Sequence, residues 1–155
     1  MICDLMEAGD MQMASSPSTL TQDYHPGRQR AITVLAVTPH EGDRISLGRI
    51  LGSHGCRLVA ASNLKEAIAC VKEHGVSVAI CERDLPDGTW QALLEALAEI
   101  PDQPKLIVCS RLADNGLWAE VLNLGGYDVL IAPFEQEEVQ RVVSLAAGAV
   151  WRGEA

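Results

Sequence analysis

The sequence predicts an α/β domain: a doubly wound, five-stranded parallel sheet in the order 2-1-3-4-5, with helices on both faces. Three observations carry this. Short apolar, β-branched runs recur five times between Ile32 and Ala132, each followed by a stretch with helical spacing. The runs are continuously apolar, which marks strands buried on both faces. Each linking stretch has the length and pattern of a helix, as the right-handed crossover between parallel strands requires.

Taken in order, ITVLAV (32–37) is the first strand. ISLGRILGSH (45–54) sets Leu47, Ile50 and Leu51 on one helical face. RLVAA (57–61) is the second strand. Asn63 and Glu66 have the spacing of a helix cap with a reciprocal acid, and Ala67, Ile68 and Val71 supply that helix's apolar stripe. VSVAIC (76–81) is the third strand, and Trp90, Leu93, Leu94 and Leu97 mark the next helix. KLIVCS (105–110) is the fourth strand. Leu117, Val121 and Leu122 repeat at helical spacing until Gly125-Gly126 stops them. DVLIA (128–132) is the fifth strand. Pro133 is placed to start a helix lined by Val139, Val142, Val143, Ala146 and Val150.

Composition narrows the function. A chain of 155 residues suggests one domain with enough material for a core. It is 48% apolar but only 4% aromatic, so the core is aliphatic. A net charge of −9 argues against a nucleic-acid surface and against a membrane surface. No apolar run approaches the roughly 18 residues of a membrane helix, and MICDLMEAGDMQM lacks the form of a secretory signal, so a cytoplasmic protein is expected. Residues 1–30, rich in turn formers, read as a disordered tail, and residues 31–152 as the folded domain. The five cysteines (3, 56, 70, 81 and 109) form no CxxC pair, which argues against a zinc knuckle or disulfide framework and for reduced thiols.

In doubly wound sheets the working site lies at the carboxyl ends of the strands. Those ends place Thr38, Pro39, His40, Glu82, Asp84, Asp87, Ser110 and Ala132 on one rim. TPHEGD after the first strand has no phosphate-binding glycine pattern. Ser110 and His40 lack the GxSxG elbow of a hydrolase. Asp87-Gly88 suits turn chemistry and Glu41 a helix start, so neither demands a metal. Cys81 and Cys109 end adjacent strands and read as two small core thiols that could touch.

Two stretches then resemble one family. ERDLPDG, with its acid four residues before Pro86, is similar to the D-x-x-L-P-x-x-G turn of response-regulator receiver domains. LGGYDVLIAPF is similar to their L-G-A-D-D-Y-L-V-K-P-F ending. The resemblance covers about residues 31–150 and implies the flavodoxin-like, CheY-like fold. It further implies that an aspartate ending the third strand is phosphorylated with Mg²⁺ held by acids after the first strand. Here Glu82 stands at the phosphoacceptor position, Thr38 and Pro39 at the metal acids, Ala132 at the lysine and Val129 at the aromatic switch. Only Ser110 keeps the family's residue type.

The resemblance therefore implies a single-domain pseudo-receiver of two-component phosphorelay signalling, without enzyme activity, cofactor or Mg²⁺, acting through protein contacts. No DNA-binding segment is expected before Ala155. Output would pass through the fourth helix, fifth strand and fifth helix, where Trp118 is expected either as an anchor or packed in the core beside Leu117 and Val121, and Trp151 either capping the fifth helix or serving a dimer contact. A protein partner is expected, with a homodimer or sensor kinase among the options. Glu82 is expected either to mimic a phosphorylated aspartate or to be solvated or locally bonded, pairing with Arg83 or Arg111. Two further readings stay open: phosphorylation at Asp84 or Asp87, and a small flavodoxin-like cofactor-binding protein.

Overall fold

The computed structural model describes residues 32–112 and 115–148. The expected tail, Val150 and Trp151 lie outside the described residues. The chain runs β1 (Thr33–Val37), α1 (Glu41–Gly52), β2 (Arg57–Ala61), α2 (Leu64–Glu73), β3 (Val78–Glu82), α3 (Trp90–Leu97), β4 (Lys105–Ser110), α4 (Asn115–Leu124), β5 (Asp128–Ile131) and α5 (Gln136–Ala147). The five strands form one parallel sheet in the order β2-β1-β3-β4-β5, as the sequence predicts. A two-residue-armed hairpin, Asp84–Leu85 against Gly88–Thr89, interrupts the link from β3 to α3.

The pleat sends alternate residues to opposite faces. Leu35, Val37, Ala79, Cys81, Leu106 and Val108 pack under α2, α3 and α4. Val34, Ala36, Val78, Ile80, Ile107 and Cys109 pack under α1 and α5. Leu47, Ile50 and Leu51 of α1, and Val139, Val142, Val143 and Ala146 of α5, are buried as their spacing requires.

The start of α2 and the end of α4 each have a local cause. Asn63 caps α2 by accepting from the Glu66 N–H at 2.8 Å, while Glu66 Oε1 accepts from the Ser62 N–H at 2.9 Å. The reciprocal acid thus acts one residue earlier than the usual box. Gly125 (φ 112°) ends α4; its N–H bonds to Leu122 O, and the Gly126 N–H bonds to Val121 O at 2.8 Å. This is the paired C-terminal closure that needs a left-handed residue.

Three expectations need correction. Pro133 does not start α5: its peptide bond to Ala132 is cis, and the helix begins at Gln136 after the cap position Glu135. α1 begins at Glu41, four residues before the predicted apolar run, with Glu41 and Asp43 in its first turn, where carboxylates suit the helix dipole. Leu122 lies outside the core, because only Leu117 and Val121 of α4 face the sheet.

Candidate functional site

The carboxyl ends of β1, β3 and β4 converge on one pocket. Thr38 is buried there; its backbone N–H bonds to Ala61 O, and its Oγ1 accepts from the His40 N–H at 3.1 Å. The Arg44 guanidinium donates to Thr38 O. Together these bonds tie the first turn of α1 to the end of β1. Pro39 and His40 are exposed.

Glu82 ends β3 with only 9% of its surface exposed. By the pleat it shares a face with Ile80, under α1, and its register partner on β4 is Cys109. The Cys109 thiol donates to Glu82 Oε1 at 3.7 Å, a weak bond. Burial pushes the Glu82 carboxyl above its ordinary range; His40 and Arg111 oppose this and Asp43 adds to it. Glu82 is therefore neither solvated nor paired with Arg83 or Arg111. Arg83 bonds Asp84 at 3.0 Å, and Arg111 bonds Asp43.

The Asp43–Arg111 pair is the feature that sequence reasoning missed. Arg111 Nη2 donates to both oxygens of Asp43, at 3.0 and 3.1 Å. The Asp43 side chain is 8% exposed, the Arg111 side chain 49%. A buried acid in the first turn of a helix, facing a cation just past a strand end, was the available signal, but 68 residues separate the two.

Ser110 is buried, and its Oγ accepts the Leu112 N–H at 3.1 Å, which shapes the loop after β4. Ala132 is also buried, and its N–H bonds to Ser110 O. Its methyl supplies no cation. Val129 is half-buried at the margin of the core. Trp118 is half exposed and donates Nε1–H to Asp128 at 3.3 Å, so it is not part of the core beside Leu117 and Val121.

Both turn acids make local contacts. Asp84 is exposed and paired with Arg83. Asp87 Oδ1 and Oδ2 accept from the N–H groups of Leu64 and Lys65 at 2.7 and 3.1 Å, holding the start of α2 from a distance. Those bonds, the Leu64 N–H first, lower its carboxyl below the usual range.

The residues do not suit Mg²⁺, which needs several free oxygens at octahedral positions. Thr38 Oγ1 and both Asp43 oxygens are already engaged, and Glu82 is turned to Cys109. Among the described residues no group of three or more His, Cys, Asp or Glu side chains could hold a metal ion. The thiols do not form a redox pair either. Cys81 and Cys109 lie on opposite faces of the sheet, because the β3–β4 register opposes Cys109 to Glu82 and Cys81 to Val108. Both are free and buried, and burial raises both thiols well above the ordinary range. Cys56 is free as well.

The model of the response regulator receiver domain matches residues 34–144. The chain belongs to this family. The receiver is 24% identical over 102 residues to the chemotaxis protein CheY of Bacillus subtilis, covering 65% of this chain and 85% of that protein. Its fold matches the chemotaxis response regulator CheY4 of Vibrio cholerae with a TM-score of 0.68 at 19% identity, over 76% of this chain and 99% of that one. The beryllofluoride-activated NtrC4 receiver domain, a dimer, matches with a TM-score of 0.70 at 24% identity, over 76% and 98% of the two chains. The chain is thus a receiver of two-component signalling with the CheY-like arrangement of strands. No helix among the described residues is long and apolar enough to cross a membrane.

Proposed function

We propose that this receiver is a pseudo-receiver: a non-catalytic, cytoplasmic module that binds a protein partner without being phosphorylated and without Mg²⁺ or another cofactor. The observation that carries this reading is the state of Glu82. Its carboxyl is buried and turned to the Cys109 thiol, and Thr38, Pro39 and Ala132 at the neighbouring strand ends supply neither metal-binding carboxylate nor cation. Phosphoryl transfer in this family depends on a metal ion that neutralises charge on the donor, and Thr38 and Pro39 at the metal-acid positions offer no carboxylate to hold one.

The partner surface in this reading is the face of α4, β5 and α5. Trp118, Leu122 and Leu124 on α4, Ile131 on β5 and Leu145 on α5 are the large exposed apolar side chains of these elements. Trp is the side chain most enriched at binding hot spots. The partner classes are an output protein, a sensor kinase or a second copy, the last by analogy with the NtrC4 receiver dimer.

The test is incubation with acetyl phosphate and Mg²⁺, read by intact mass. The expected result is no gain of a phosphoryl group. A gain mapped to Glu82, Asp84 or Asp87 would sink the reading. The face is tested by affinity capture from the native host with the wild type and Ile131→Arg. A partner held equally by both would move the interface elsewhere.

A further inference from the structure

We propose that Arg111 and Asp43 form a latch that roofs the Glu82 position and fixes the chain where it leaves β4, at Arg111 and Leu112. The inference rests on the preceding reading only for assigning α4 to the partner face.

Topology supplies the first argument. β3 lies between β1 and β4 in the sheet. Asp43 stands on α1, which follows β1, and Arg111 stands directly after β4. A side-chain bond between them therefore crosses the carboxyl end of β3, where Glu82 lies. The charges of both partners act on Glu82, which agrees with that path.

Anchoring supplies the second. The α1 end of the latch is held, because Arg44 donates to Thr38 O and the His40 N–H to Thr38 Oγ1. The β4 end is held through Ser110, whose Oγ takes the Leu112 N–H and whose carbonyl takes the Ala132 N–H. Arg111 thus joins the end of β4 to a fixed point on α1.

Burial supplies the third. An ordinary surface ion pair contributes little. Here the carboxylate is nearly sealed from water while the guanidinium is half open. Loss of Arg111 would strand a buried charge, and a stranded partner costs more than an absent pair. The latch then holds Arg111 beside α1 with a charge that is built into the chain. In this receiver a cation on the β4 side spans the pocket, where the family ending would supply a lysine at Ala132.

The test is hydrogen exchange by mass spectrometry on the full chain, comparing wild type, Arg111→Gln, Asp43→Asn and the double variant. In Arg111→Gln the amides of α4 should exchange about two- to tenfold faster, with β1 and β3 unchanged. The double variant should lose less protection than the two single losses combined. Arg111→Lys should keep part of the protection. Unchanged α4 exchange in Arg111→Gln overturns the latch, as does an equal acceleration across the whole sheet. The phosphorylation assay reads separately: a phosphoryl gain with a loosened α4 in Arg111→Gln would remove the pseudo-receiver reading and leave the latch standing.

Discussion

Gly126→Ala restores the residue of the related L-G-A-D ending, yet it should destabilise this chain. A Cβ at Gly126 would lie 2.4 Å from Val121 Cγ1 and 3.1 Å from Val121 O. Val121 is fully buried on α4, and a β-branched side chain in a helix has essentially one rotamer, so it cannot swing away. Overpacking of this kind costs about 1–3 kcal/mol. Gly126 is not in the left-handed region, so alanine also gains roughly 0.4–1 kcal/mol by restricting the unfolded chain. The net loss should be about 1–2 kcal/mol, a fall in Tm of roughly 4–8 °C by far-UV circular dichroism. Val121→Ala removes the obstructing methyls. In that background the new methyl enters vacated space, and the Gly126→Ala loss should shrink by about 1 kcal/mol. An unchanged or raised Tm in the single variant, or the same loss in both backgrounds, would refute the packing argument. Gly125→Ala should also destabilise, but without rescue, because the cause there is a φ of 112°.

Three further outcomes follow from the site. Glu82 has a raised folded-state pKa, so its ionised form destabilises the fold; Glu82→Gln should match the wild type near about pH 4 and gain stability over it as pH rises through the raised value. Urea unfolding at both ends of that range checks the sign, and a gain confined to acid would contradict it. Asp87, lowered by the Leu64 and Lys65 N–H groups, contributes stability above its unfolded pKa that is lost as pH falls through the folded one. Asp87→Ala should therefore speed exchange in the first turn of α2 at neutral pH and match the wild type in strong acid. Cys81 and Cys109 should resist a thiol reagent at about pH 8 in the native state and react on unfolding, as should Cys56, pushed up to about 11. Rapid native labelling at Cys109 would show that the pocket opens.

The sheet was legible because parallel strands buried on both faces leave continuous apolar runs, and β2 and β4 fall on RLVAA and KLIVCS without adjustment. The hairpin after β3 was not, since two-residue arms carry no period. Thr38, Glu82, Ser110 and Ala132 were placed correctly by strand ends alone. Their bonds were not, because a contact such as Arg111 with Asp43 depends on which elements the crossovers bring together. Asp87 shows the same limit. Its neighbours in sequence suggest a turn, while its oxygens serve a helix 23 residues earlier. Trp118 fitted a helical stripe as well as a surface, and only the rotation of α4 about its axis decides between them.

β5 closes one side of the sheet with four residues, and Pro133, which has no N–H, stands two positions beyond Ile131. An incoming strand would find only about 13 Å of backbone to pair with. That is a poor template for strand addition or fibril growth. Two copies meeting at this face would have to hold each other through side chains of the flanking helices, so their affinity would respond to single substitutions there and little to backbone geometry.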